Sequence, residues 1–194
     1  MKKILMIIFI IFYIFQTVVL ASDIDVGAEP DDRGSTFSGG YTFISIDNPA
    51  NLAGTIDTIE IWVDVELNGV KIATFFAVDA THYTTRDTVT LGTVTVGEHS
   101  VSNGNAITED EDTNLISLDI EVGDKIGIYY DNDAGRLEKD NAGFAGVLYI
   151  FSDEIPCVNT EFATLAGDAM SLKGLGDSTP VAEETNVILF QGNF

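Results

Sequence analysis

The chain has 194 residues, of which 31 are acidic and only 9 basic, so its formal net charge at pH 7 is −22. This charge repels nucleic acids and anionic lipid surfaces, and we therefore exclude both as partners. Cys157 is the single cysteine, which excludes a disulfide within the chain. Its apolar neighbours predict a buried thiol, with a disulfide to another chain as the alternative. Stability must then come from packing or from bound ions.

Residues 1–21 have the pattern of a signal peptide. Lys2 and Lys3 precede an apolar run over residues 4–20, and Ala21 supplies a small residue at the cleavage position. An uncleaved anchor is the alternative, because the run approaches the ~20 residues that span a bilayer. We expect cleavage after Ala21, which would leave a secreted or cell-surface protein without membrane contact.

Beyond the leader, short segments alternate apolar and polar residues, which is typical of strands in an antiparallel sheet. No segment there keeps a helical period. The predicted strands lie near residues 24–26, 41–47, 59–67, 70–77, 83–96, 116–122, 126–130, 136–138, 147–151, 162–165, 169–173 and 187–190. We predict an all-β fold, an antiparallel β-sandwich of jelly-roll type with about ten strands over residues 22–174. Residues 175–194 are predicted to form a linker and a C-terminal strand.

Two stretches predict strand pairs joined by tight turns. In residues 114–130, Gly123 and Asp124 separate two alternating runs. In residues 59–77, Asn68 and Gly69 form the pair that favours a two-residue type I′ turn. The first arm of that hairpin is expected to point its apolar side chains to one face; these are Ile59, Ile61, Val63, Val65 and Leu67.

The segments DIDVGAEPDDRGSTFSGGYTFISIDNPAN (residues 23–51) and IEVGDKIGIYY (residues 120–130) resemble jelly-roll-like β-sandwich modules of phage tail and secreted bacterial proteins. The resemblance extends over about residues 23–174. It implies a structural or adhesive β-module, and it assigns no residue a chemical role.

Acidic residues in two loops make calcium a candidate ligand. Asp110, Asp112, Asn114 and Glu121 follow the spacing of an EF-hand loop, but Leu115 occupies the position of the required glycine. Glu121 also belongs to a predicted strand, so we exclude an EF-hand. A looser oxygen cage for Ca²⁺ remains, and ordinary solvated surface charge is the alternative. The candidate metal ligands are Asp110, Asp112, Asn114, Asp131 and Asp133.

Trp62, the only tryptophan, is predicted to share the polar face of its strand with Glu60, Asp64 and Glu66. An exposed indole ring can stack on a sugar while carboxylates accept hydrogen bonds from its hydroxyl groups. These four residues therefore form a candidate carbohydrate-binding site. In the alternative interpretation, Trp62 belongs to a second apolar packing layer.

Residues 62–66 are also similar to the signature of retaining β-glucanases with a jelly-roll fold. Retaining hydrolysis requires two carboxyl groups about 5–5.5 Å apart. Trp62 stands where the signature has a glutamate, so we predict no enzymatic activity, with a jelly-roll glycoside hydrolase as the less favoured alternative.

The sequence thus predicts an exported, non-enzymatic module with a structural or adhesive role. Its expected partners are further copies of itself or a glycan. Self-association would use the predicted strand at residues 186–190, which follows a linker and could add to the open edge of a neighbouring sheet.

Overall fold

A computed structural model of the protein describes residues 23–102, 116–131 and 134–178. Every regular element in these ranges is a β-strand, and all strand pairs are antiparallel. Two sheets face each other, which confirms the predicted antiparallel sandwich. Within the same ranges no helix is long and apolar enough to cross a membrane. The predicted signal peptide and C-terminal strand lie outside the described residues.

The described residues form more strands than the predicted ten, because several are only two or three residues long. The strands are β1 (Asp23–Gly27), β2 (Ser35–Ser38), β3 (Thr42–Ser45), β4 (Gly54–Val65), β5 (Leu67–Ala77), β6 (His82–Val94), β7 (Gly97–Ser102), β8 (Leu118–Ile120), β9 (Lys125–Tyr129), β10 (Arg136–Asp140), β11 (Val147–Ile150), β12 (Thr160–Glu161), β13 (Ala163–Leu165), β14 (Ala169–Met170) and β15 (Leu172–Ser178).

The first sheet is built around β4. Strands β15 and β10 pair with one edge of β4, and β8 and β7 pair with the other. Strand β1 extends the sheet beyond β15, while β2 and β14 pair with β10. The outward-facing side chains of β4 therefore lie in the middle of the outer face of this sheet.

The second sheet has the order β12-β6-β5-β9-β3-β11-β13. Strands β12 and β13 occur at opposite ends of this order, although only Phe162 separates them in sequence. This short segment therefore pairs with β6 through one part and with β11 through the other. The two ends of the second sheet are joined at this point.

Apolar residues form two cores. The main core lies between the sheets and includes Ile59 and Ile61 from the first sheet and Ile72 from the second. A smaller core lies on the other face of the second sheet and consists of Ile44, Ala73, Phe75, Tyr83, Leu148, Ile155, Cys157 and Phe162. Cys157 is buried there, as its apolar neighbours predict.

The predicted hairpin at Asn68 and Gly69 is wrong. Strand β4 belongs to the first sheet and β5 to the second, and the chain crosses between them at Glu66. Asn68 and Gly69 lie inside β5, where the register with β6 shifts between Leu67 and Val70. Gly69 does adopt a positive φ of 61°. The backbone preference of this pair is therefore used in a β-bulge instead of a turn.

The predicted strand pair of residues 114–130 is also wrong as a pair. Strand β8 lies in the first sheet and β9 in the second. The turn between them forms, and the Asp124 N–H donates to the carbonyl of Glu121 at 3.0 Å. Ile120 and Ile126 both face the main core, one from each sheet. The alternation of apolar and polar residues identified the buried side chains. It does not show which sheet a strand belongs to, because both sheets cover the same core.

Two further differences concern exposure and length. Val65 is 37% exposed, although the alternation of β4 predicts an inward position, because it lies at the end of the strand beside the crossing. Strand β15 runs to Ser178, past the predicted domain end at Gly174. A Cβ atom at Gly176 would lie 2.0 Å from the carbonyl oxygen of Thr55. The glycines of this segment therefore permit close strand contact, whereas the sequence suggested a linker.

Candidate functional site

The outer face of the first sheet carries three of the four residues of the predicted carbohydrate site. Along β4, Glu60, Trp62 and Asp64 alternate with residues that face the main core. Glu60 and Trp62 are half-buried, and Asp64 is exposed. Glu66 is also exposed, but it lies at the crossing between β4 and β5, outside either strand.

Strand β7 adds a further carboxylate to this face. Glu98 is directly opposite Trp62, and Ser100 is opposite Glu60. Side chains in such positions of an antiparallel pair have Cβ atoms about 4.5–5.5 Å apart. Glu98 was not among the predicted site residues, because only the pairing of β4 with β7 brings these two segments together. We call Glu60, Trp62, Asp64 and Glu98 the Trp62 face.

Arg33 fixes the loop between β1 and β2 beside the Trp62 face. Its side chain is only 3% exposed and forms an ion pair with Asp140. Nε donates a hydrogen bond of 2.7 Å to Oγ of Ser171, which in turn donates to the carbonyl of Asp31. The Trp62 N–H donates to the carbonyl of the same Ser171 at 3.2 Å. Strand and loop are therefore held by a shared set of polar contacts.

Two further charged groups lie in this region. Glu138 is 5% exposed, and its Oε2 accepts a hydrogen bond of 3.2 Å from the backbone N–H of Arg33. Burial raises the pKa of Glu138, and the negative charge of Asp64 adds to the effect. Lys173, opposite Glu60 in the sheet, donates to the carboxylate of Glu29, and this hydrogen bond raises the pKa of Lys173.

Only one candidate metal ligand lies in the described residues. Asp131 is exposed, and its backbone N–H donates to the carbonyl of Asn68 at 2.8 Å. Asp110, Asp112, Asn114 and Asp133 lie outside the described residues. Over residues 23–102, 116–131 and 134–178, no group of three or more histidine, cysteine, aspartate or glutamate side chains could hold a metal ion.

The Trp62 face combines an indole ring with carboxylate acceptors on a rigid sheet. The indole ring of such an arrangement can stack against a flat, weakly polar surface of a ligand, and the carboxylates can accept hydrogen bonds from the edge of that ligand. No family model, curated protein or solved structure matches the chain. Its function must therefore be inferred from this geometry.

Proposed function

We propose that the chain is an exported, non-enzymatic adhesive module that binds a neutral glycan through the Trp62 face. The observation that carries this proposal is the position of Trp62 among three carboxylates on one outward face, namely Glu60, Asp64 and Glu98. A pyranose ring would place its C–H groups on the indole, and its hydroxyl groups would donate to the carboxylates.

The negative charge of the chain favours neutral sugars over acidic ones as ligands. With a net charge of −22, the protein repels uronic acids and sulfated sugars, so a neutral glycan is the favoured ligand. The ion pair and hydrogen bonds of Arg33 support binding at this face in a different way, because they hold the neighbouring loop in place before a ligand arrives. A surface that is ordered in advance loses less entropy on binding.

The test is a glycan array followed by calorimetric titration of the best ligand. We expect Trp62→Ala to weaken binding by at least about tenfold, since the stacking contact would be lost. Trp62→Phe retains a ring and should recover part of the affinity.

The matched control is Phe76→Ala, which removes a half-buried aromatic ring from the second sheet. It should leave glycan affinity unchanged. Full affinity in Trp62→Ala, or equal losses in both alanine variants, would contradict binding at the Trp62 face.

Self-association through the predicted C-terminal strand is a second proposal, and the pairing of β15 removes one alternative to it. Both edges of β15 are occupied, one by β1 and the other by β4. If the strand predicted at residues 186–190 forms, it would need an edge other than those of β15, and we propose the edge of a second copy. Deleting residues 186–194 should lower the assembly state measured by sedimentation, and an unchanged state would rule out strand exchange.

A further inference from the structure

A row of aromatic rings leads from the main core to the surface near the start of β3 and the end of β11. Phe37 and Phe43 are buried, with ring centroids 4.3 Å apart. Tyr41 stacks on Phe43 at 5.6 Å and contacts Phe151 at 4.7 Å. Phe151 is 63% exposed. Packing against Tyr41 therefore supports an aromatic ring that remains largely open to solvent.

A cleft of about 370 Å³ lies beside Phe151, on the ladder between β11 and β13. Tyr149 is half-buried and is paired with Ala163 across this ladder. The small side chain of Ala163 leaves room next to the tyrosine ring. The cleft is lined by Tyr149, Ile150, Phe151, Glu161, Phe162 and Ala163.

The electrostatic character of this cleft is negative. Among the described residues, the carboxylate of Glu161 forms no hydrogen bond or ion pair, and the hydroxyl of Tyr149 has no hydrogen-bond partner. The lining residues include no lysine or arginine. The faces of aromatic rings carry partial negative charge and attract cations, and the negative carboxylate of Glu161 strengthens this attraction.

We propose that this cleft binds a lysine or arginine side chain presented by a partner polypeptide. The cationic head would lie over the rings of Phe151 and Tyr149 and form an ion pair with Glu161. A polypeptide partner is favoured because the cleft opens beside β13, whose three residues are all exposed, including Leu165. A backbone that carried the basic side chain would cover this strand, which a small free cation could not do.

The experiment titrates the full chain with a hexapeptide of alternating lysine and glycine and follows backbone amide shifts of Tyr149, Phe151 and Ala163 by NMR. We expect saturable shifts at these residues. Glu161→Gln and Phe151→Leu should each weaken binding by about fivefold or more, through loss of the ion pair and of the ring. Phe151→Tyr keeps the ring and should bind nearly as well as the unaltered protein.

Asp177→Asn is the matched control, because it removes one exposed carboxylate far along β15 in the first sheet. An equal loss of affinity in Asp177→Asn and Glu161→Gln would show that only net charge matters and would overturn the proposal. Undiminished binding of the lysine-acetylated peptide would also overturn it. Tetramethylammonium that binds as tightly as the peptide would refute a polypeptide partner. The cleft belongs to the second sheet and the Trp62 face to the first. A failure of peptide binding at the cleft would therefore not contradict glycan binding, which the Trp62→Ala titration tests separately.

Discussion

Arg33 connects three parts of the chain through a single guanidinium group: its own loop, strand β10 at Asp140, and Ser171. It pairs with Asp140, donates to Ser171 and donates to the carbonyl of Glu29. A buried cation is stable only when such acceptors surround it. These contacts therefore require the loop between β1 and β2 to stay against the first sheet, next to Trp62.

Glu138 should make the free energy of unfolding of the protein depend measurably on pH. Burial raises its pKa above the ordinary value of 4.5, so the folded state binds its proton more tightly than the unfolded state. The contribution of Glu138 to the stability of the folded state is therefore fully present below the pKa of the unfolded state, and it is lost as the pH rises through the pKa of the folded state. We expect Glu138→Gln to gain stability relative to the unaltered protein as the pH rises from about 4 to 7.

Urea unfolding at a series of pH values measures this difference in the free energy of unfolding. Glu98→Gln is the control, since Glu98 is an exposed carboxyl group on the same face. A constant difference between Glu138→Gln and the unaltered protein at all pH values would show that Glu138 does not titrate differently on folding.

At the scale of single elements, the chain repeatedly changes sheets between consecutive strands. Strands β4 and β5 lie in different sheets, as do β6 and β7, and β8 and β9. Each connection is short. The residues at these crossings must therefore meet backbone requirements that differ from those of a hairpin within one sheet.

Gly69 meets such a requirement in the bulge at the start of β5. Its φ is 61°, and a Cβ atom there would lie 2.6 Å from Oδ1 of Asp131. We expect Gly69→Ala to lower the free energy of unfolding by about 1–2 kcal/mol, because the left-handed conformation is costly for other residues. Chemical denaturation measures this loss.

Gly34→Ala is the comparison, because a Cβ atom at Gly34 meets nothing within 4 Å and the residue has no positive φ. Its effect should stay within ~0.5 kcal/mol. Equal effects at both positions would mean that the bulge does not require glycine. Adding Asp131→Ala to Gly69→Ala separates backbone strain from contact with the carboxylate.

At the scale of the whole molecule, two cores share the second sheet. Phe162 belongs to the smaller core, and its ring contacts Phe75 and Tyr83 in edge-on geometry at 6.3 and 6.2 Å. It is 1% exposed and separates β12 from β13. The residue that fills this core thus also joins the two ends of the second sheet.

Phe162→Ala should therefore lower the free energy of unfolding by about 3–5 kcal/mol, as is usual when a buried aromatic side chain is truncated. Urea unfolding followed by circular dichroism measures the loss. Amide hydrogen exchange should show the greatest loss of protection in β12 and β13.

Phe151→Ala provides the reference for this measurement, because it truncates the same side chain at an exposed position. Its effect on stability should be small. A loss in Phe162→Ala no larger than that in Phe151→Ala would show that the smaller core contributes little to the fold.

The alternation of apolar residues was by itself sufficient to determine the fold class and most of the buried positions. Ile59, Ile61 and Val63 are fully buried, as are Ile126 and Ile128. The same alternation correctly placed Glu60, Trp62 and Asp64 on one outward face. This works because successive side chains of any strand point to opposite faces, whatever the strand pairs with.

Only the tertiary structure decided which strands are neighbours. Contacts between distant segments determine where the chain changes sheets, at Glu66 and around Gly123. They also determine the bulge at Gly69 and the position of Glu98 opposite Trp62. The cleft between Tyr149 and Glu161 depends on them too. Alternation reports whether a side chain faces the interior, and two sheets that cover one core give the same local pattern, so the partner of each strand follows from packing of the whole chain.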